Sequence, residues 1–129
     1  MKRFPTFTVI AIAAILVFIL VQRLMGGGTS LSPEAFVAAY EPDQILLDVR
    51  TPGEFEDGHL AGAINMNVTS GDFRERAATL PIGEPVYVYC ASGVRSSRAA
   101  AVLEELGHTE VYNVGGYGEL ARAGAATEE

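Results

Sequence analysis

Val86-Tyr87-Val88-Tyr89-Cys90-Ala91-Ser92-Gly93-Val94-Arg95-Ser96-Ser97-Arg98 is the stretch on which the reading of this chain turns. Its first four residues are β-branched or aromatic and uncharged, the pattern of a strand buried on both faces. Ala91, Ser92 and Gly93 are small loop residues. From Val94 to Leu106 the apolar residues Ala99, Val102, Leu103 and Leu106 recur at helical spacing, and Gly107 supplies the stop. The stretch is therefore strand, tight loop, helix. Cys90, the only cysteine of the 129 residues, stands at the carboxyl end of the strand.

The flanking sequence repeats this alternation. Ser32-Pro33-Glu34 opens a helix with a cap, a first-turn proline and an acid that suits the helix dipole; Pro42 closes it. Ile45 to Val49 is a mostly apolar strand, Thr51 to Phe55 a short capped helix, Ala63 to Met66 a short strand, and Ser70 to Ala78 a helix with Phe73 and Ala77 inward. Glu110 to Val114 is a last strand, after which Gly115-Gly116-Tyr117-Gly118 turns into a final short helix. Strands alternating with helices predict an α/β domain with a mostly parallel sheet and helices on both faces. Ligands of such sheets bind at the carboxyl ends of the strands, where Cys90 stands.

Two segments follow. Residues 1–28 form an N-terminal segment in which Phe4 to Val21 carries no charge, and Gly26 to Ser30 reads as a short flexible linker. Eighteen helical residues rise about 27 Å, close to the ~30 Å hydrocarbon core of a bilayer. One transmembrane helix over residues 4–22 is expected, with a cleaved signal peptide as the alternative. Lys2 and Arg3 outweigh Arg23, so the domain is expected on the periplasmic or extracytoplasmic side. Residues 29–129 form one domain holding all 16 acidic but only 6 of the 9 basic residues, for a formal charge of −10. That balance argues against nucleic acid as a partner, and it requires a locally positive site if the substrate is an anion.

A cysteine attacks as its thiolate, which helix N-termini and nearby cations favour. The backbone N–H groups of Ala91, Ser92, Gly93 and Val94 can curl round the sulfur, and Arg95 adds a forked cation suited to an oxyanion. A separate general base is not required. The competing reading is an inert buried thiol. One cysteine excludes an internal disulfide or a CxxC pair, and with His59 and His108 far apart in sequence no metal cluster and no cofactor are expected.

The residues from Cys90 to Ala100 resemble the active-site loop and following helix of a single-domain rhodanese (thiosulfate sulfurtransferase). Leu47-Asp48-Val49-Arg50-Thr51-Pro52-Gly53-Glu54-Phe55 resembles that family's first motif and Gly58-His59-Leu60-Ala61-Gly62-Ala63-Ile64-Asn65 its second. Val111-Tyr112-Asn113-Val114-Gly115-Gly116 resembles its closing strand. The likeness runs from about Leu31 to Ala121. It implies a rhodanese-like fold in which Cys90 takes a sulfane sulfur from thiosulfate or a similar persulfide donor. Cys90 then holds it as a persulfide among the loop N–H groups and yields it to an external thiol or cyanide. The alternatives are a non-catalytic sulfur carrier or protein-interaction module of the same fold, and a phosphatase or arsenate reductase. Members of the latter type carry Cys-x5-Arg, one residue longer than Cys90 to Arg95 here.

The chain departs from the family pattern in two places. Ala91 stands where many members place a basic residue, and the loop has no lysine, so Arg95 is expected to be the main anion contact and thiosulfate a weak donor. Near Leu120 the aromatic residue that often follows the glycine pair is missing. Asp48 and Arg50 are expected to form a structural network with Glu54, His59 to be a structural residue of its turn, and His108 to lie at the surface. Arg98 is expected either to assist the anion or to face solvent, and Glu104 and Glu105 to be solvated.

Overall fold

The structure, a computed structural model, describes residues 6–24 and 27–129. Residues 1–5 and 25–26, which include Lys2, Arg3 and part of the expected linker, lie outside them. Among the described residues six helices and seven strands follow in chain order: α1 (Thr6–Leu24), β1 (Thr29–Ser30), α2 (Pro33–Ala39), β2 (Ile45–Asp48), α3 (Pro52–Glu56), β3 (His59–Leu60) and β4 (Ile64–Asn65). Then come α4 (Phe73–Ala77), β5 (Val86–Cys90), α5 (Val94–Glu105), β6 (Val111–Gly116), α6 (Tyr117–Arg122) and β7 (Thr127–Glu128). Five strands make one parallel sheet in the order β1-β6-β5-β2-β4, and β3 and β7 make a separate antiparallel pair.

The expected α/β architecture is present, and its centre is β5, whose five residues are all buried. Alternation along the strand sends Val86, Val88 and Cys90 to one face and Tyr87 and Tyr89 to the other. The first face is covered by α4 and α5, through Phe73, Ala77, Ala99, Ala100 and Leu103. The second is covered by α2 and α6, through Phe36 and Leu120, with Leu46, Leu60 and Val114. α2 and α3 begin on the caps their sequences predict, whereas α4, expected from Ser70, begins only at Phe73 and has no side-chain cap. Ser32 Oγ accepts from Ala35 N at 3.1 Å, and Thr51 and Glu54 exchange the reciprocal hydrogen bonds of a capping box.

Three short strands escaped the sequence pattern. Thr29–Ser30, expected as linker, pairs in parallel with β6. β3 and β7 hydrogen-bond His59–Leu60 to the chain's last residues. A register shift between Val88 and Tyr89 inserts one extra residue of β6, so that Val88 faces Asn113 while Tyr89 faces Gly115.

The transmembrane expectation for residues 4–22 is not carried by the structure. Among the described residues no helix is long and apolar enough to cross a membrane. Residues 4 and 5 lie outside the described part. α1 itself runs over 19 residues, Thr6–Leu24. Its apolar side chains, among them Ile10, Ile15, Leu16 and Phe18, are exposed.

Candidate active site

Cys90 ends β5 and its side chain points toward α5, with no exposed surface. The chain then turns through Ala91 and Ser92 to Gly93, whose φ of 97° lies in the left-handed region that glycine adopts without cost. This turn brings the Gly93 N–H to within 2.9 Å of Cys90 Sγ. The neighbouring strand needs a second glycine. A Cβ on Gly116, which pairs with Cys90, would stand 2.4 Å from the Ala91 carbonyl oxygen.

The sulfur also lies 3.4 Å from Ser96 Oγ, in the first turn of α5. Ser96 Oγ donates to Asn113 Oδ1 at 2.7 Å, Gly115 N donates to the same oxygen at 3.2 Å, and Asn113 Nδ2 donates to the Gly93 carbonyl at 3.0 Å. Both ends of the Asn113 amide are thus engaged, which fixes its orientation and fastens the loop to β6. A hydroxyl has one proton. While Cys90 is a thiol, its S–H can donate to Ser96 Oγ and the Ser96 proton goes to Asn113. Once Cys90 is a thiolate, the Ser96 hydroxyl turns to the sulfur, and Asn113 Oδ1 keeps the Gly115 N–H. Burial acts to raise the Cys90 pKa. Hydrogen bonds from Ser96 Oγ and from the backbone N–H groups of Ser96, Ser92 and Gly93 outweigh it, and the thiol titrates below its ordinary value. The site therefore favours a thiolate without a neighbouring base.

Arg95 is directed elsewhere. Its Nη1 and Nη2 donate to Glu54 Oε1 and Oε2 at 2.7 and 2.9 Å, a bidentate pair with both partners partly exposed. Glu54 Oε1 also accepts from Thr51 N at 3.2 Å and Thr51 Oγ1 at 3.1 Å. The Arg95 guanidinium foremost, opposed by burial and helped by the Thr51 bonds, holds the Glu54 carboxyl down to about 2.

Glu54 is therefore not a member of the Asp48–Arg50 network, as the sequence led one to expect, because α3 points it toward α5. Arg50 Nη2 instead bridges Asp48 Oδ2 at 2.7 Å and the Gly58 carbonyl at 2.6 Å, under the ring of Tyr117. Asn65 Nδ2 closes this corner on the Asp48 and Arg50 carbonyls. His59 stacks on Phe55 at 3.6 Å between centroids. Its Nδ1 donates to the Phe55 carbonyl at 2.8 Å, which makes it part of its turn. His108, expected at the surface, is 3% exposed and neither ring nitrogen has a hydrogen-bond partner among the described residues. Gly107, at a φ of 106°, turns the backbone so that His108 N donates to the Leu103 carbonyl at 3.1 Å, and the ring is buried instead of lying in water. Ala91, Ser92 and Val94 are exposed, and so are Arg98, Glu104 and Glu105.

Ser96 and Asn113 were not singled out in the sequence. The available signals were a serine in the first turn of the helix after Cys90 and a lone amide within an otherwise apolar strand. A cavity of about 350 Å³ lies apart from the sulfur, lined by Phe36, Tyr40, Leu46, Leu60 and Ala125 among others. It belongs to the second face of the sheet and contains no residue of the Cys90 loop.

Residues 32–123 match the family described as Rhodanese-like domain. The chain is 40% identical over 113 residues to the uncharacterized protein YqhL of Bacillus subtilis, covering 88% of this chain and 82% of that one. It is 36% identical over 93 residues to the thiosulfate sulfurtransferase GlpE of Pseudomonas syringae, covering 71% and 85%. The solution structure of the rhodanese-like domain of the Anabaena protein Alr3790 superposes with a TM-score of 0.66 at 29% identity, covering 77% of each chain.

Proposed function

We propose that this chain, which belongs to the rhodanese-like domain family, is a sulfurtransferase that carries a sulfane sulfur on Cys90. The observation that carries the reading is the sulfur's surroundings: a Gly93 N–H at 2.9 Å and the Ser96 hydroxyl at 3.4 Å, which together with the loop N–H groups favour the thiolate. The thiolate attacks the outer sulfur of thiosulfate. The S–S bond of the donor breaks, sulfite leaves with the electron pair, and the new S–S bond makes a Cys90 persulfide. Cyanide or a thiol then attacks the outer sulfur and restores the thiolate. Cys90 is the only cysteine, so the acceptor comes from outside the chain. The fit of the family name and the GlpE relative supports thiosulfate or a compound like it as donor.

A second reading, a sulfur carrier loaded and emptied by a protein partner, is favoured by two features. Cys90 has no exposed surface, and Arg95 is already paired. Incubating the full chain with thiosulfate and cyanide separates the two. The enzyme reading expects catalytic thiocyanate release and a persulfide mass increase of about 32 Da, one sulfur atom, both lost in Cys90→Ser. A stoichiometric persulfide without turnover would favour the carrier, and neither signal would overturn the enzyme reading.

For residues 4–22 we retain a membrane anchor with the domain on the extracytoplasmic side. An α1 with exposed apolar side chains all round is stable in lipid and poorly so in water. A reporter fused to the carboxyl terminus tests it; a cytoplasmic signal, or extraction of the full chain by alkaline carbonate, would overturn it.

A further inference from the structure

An anion-binding loop normally offers its arginine to the anion, but here the two outer nitrogens of Arg95 are bound by Glu54. That carboxylate is held from its other side by the Thr51 cap, so it is a fixed part of α3 and not a passing contact. The pairing offsets the charge of Arg95, and its remaining N–H groups have no hydrogen-bond partner among the described residues. The loop adds no cation, since Ala91, Ser92, Gly93 and Val94 are neutral. With Arg95 neutralised, the sulfur's surroundings supply hydrogen bonds but almost no net positive charge, in a domain of formal charge −10. A dianion gains little there, whereas a donor with one negative charge or none loses less water and meets the same N–H groups.

We propose that Glu54 is a specificity-determining residue: by holding Arg95 it tunes the Cys90 site toward sulfane-sulfur donors of lower charge than thiosulfate, the class of organic thiosulfonates and thiol persulfides. The inference rests on the sulfur-transfer reading and adds the donor class to it. With methanethiosulfonate, CH3SO2S⁻, the Cys90 thiolate attacks the terminal sulfur, methanesulfinate leaves with the electron pair, and Cys90 gains the same persulfide as from thiosulfate. The two donors share a shape and differ by one charge.

The test is steady-state transfer to cyanide by the full chain with each donor. Glu54→Gln keeps an acceptor for the Thr51 cap and releases the charge of Arg95. Its kcat/KM for thiosulfate relative to methanethiosulfonate rises about tenfold at low salt, through KM, and the gain shrinks at high salt. Arg95→Gln leaves Glu54 uncompensated and moves the ratio the other way. In the double variant the Glu54→Gln gain disappears. A ratio unchanged in both single variants, with the persulfide still formed, overturns the role of Glu54 and leaves sulfur transfer standing. No persulfide from either donor in the parent chain overturns both.

Discussion

At the sulfur, one hydroxyl decides the charge state. Ser96 Oγ is the strongest of the groups that lower the Cys90 pKa against burial. A hydrogen bond to a charged group contributes about 1.5–3 kcal/mol. Ser96→Ala should therefore slow alkylation of Cys90 by iodoacetamide at pH 7 by roughly ten- to a hundredfold and move its pH profile upward. An unchanged profile would mean that the loop N–H groups alone set the titration. Asn113→Leu removes both the acceptor of Ser96 and the donor to the Gly93 carbonyl. It should lower the transfer rate while leaving the sheet's melting behaviour within about 1–2 kcal/mol, read by denaturant titration. Cys90 was legible as a site because a lone thiol at a strand end is a local pattern. Ser96 and Asn113 were not, because their meeting depends on strand register seventeen residues apart. Glu54 and Arg95 meet across forty-one, and the sequence offered Asp48 and Arg50 as nearer partners.

Among the elements, β6 bears the closest tolerance. Gly116 lets its backbone pass against Ala91, and a methyl there would stand 2.4 Å from a carbonyl oxygen of the sulfur loop. Gly116→Ala should cost about 1–3 kcal/mol in denaturant unfolding and should cut transfer more than it cuts stability, since the displaced atoms are the loop itself. A fully active Gly116→Ala chain would show that the loop has room to give. The helices were readable from caps and periodicity. β5 was readable from its run of Val and Tyr, and β2 from Ile45-Leu46-Leu47. β1, β3 and β7 were not, since two-residue strands carry no alternation and exist only through their partners. The bulge in β6 has the same origin: nothing in Val111-Tyr112-Asn113-Val114 announces that Val114 is the extra residue.

Taken whole, the sheet divides the labour. The face under α4 and α5 holds the sulfur, and the face under α2 and α6 holds the aromatic core. His108 is the buried base that the site does not use, and burial lowers its pKa from 6.5. A base whose pKa is depressed on folding is protonated more readily in the unfolded chain. Stability is therefore full above about pH 6.5 and is lost as the pH falls from there toward the folded value, by at most about 1.4 kcal/mol per pH unit. Urea titrations of His108→Phe from pH 7.5 to 5 should lose that slope; slopes equal to the parent's would place the acid sensitivity elsewhere. The sequence could not reveal this, because a histidine after a glycine cap reads as a turn residue, and its burial arises only once the chain is packed.

Cys90 is both the only thiol and wholly enclosed. A labelling reagent therefore reaches it only when the surrounding structure opens. With reagent in excess, the labelling rate levels off at the rate of that movement, and the chain becomes a clock for its own gating, with no added probe. Sulfur can enter no faster than that clock runs, whichever donor brings it.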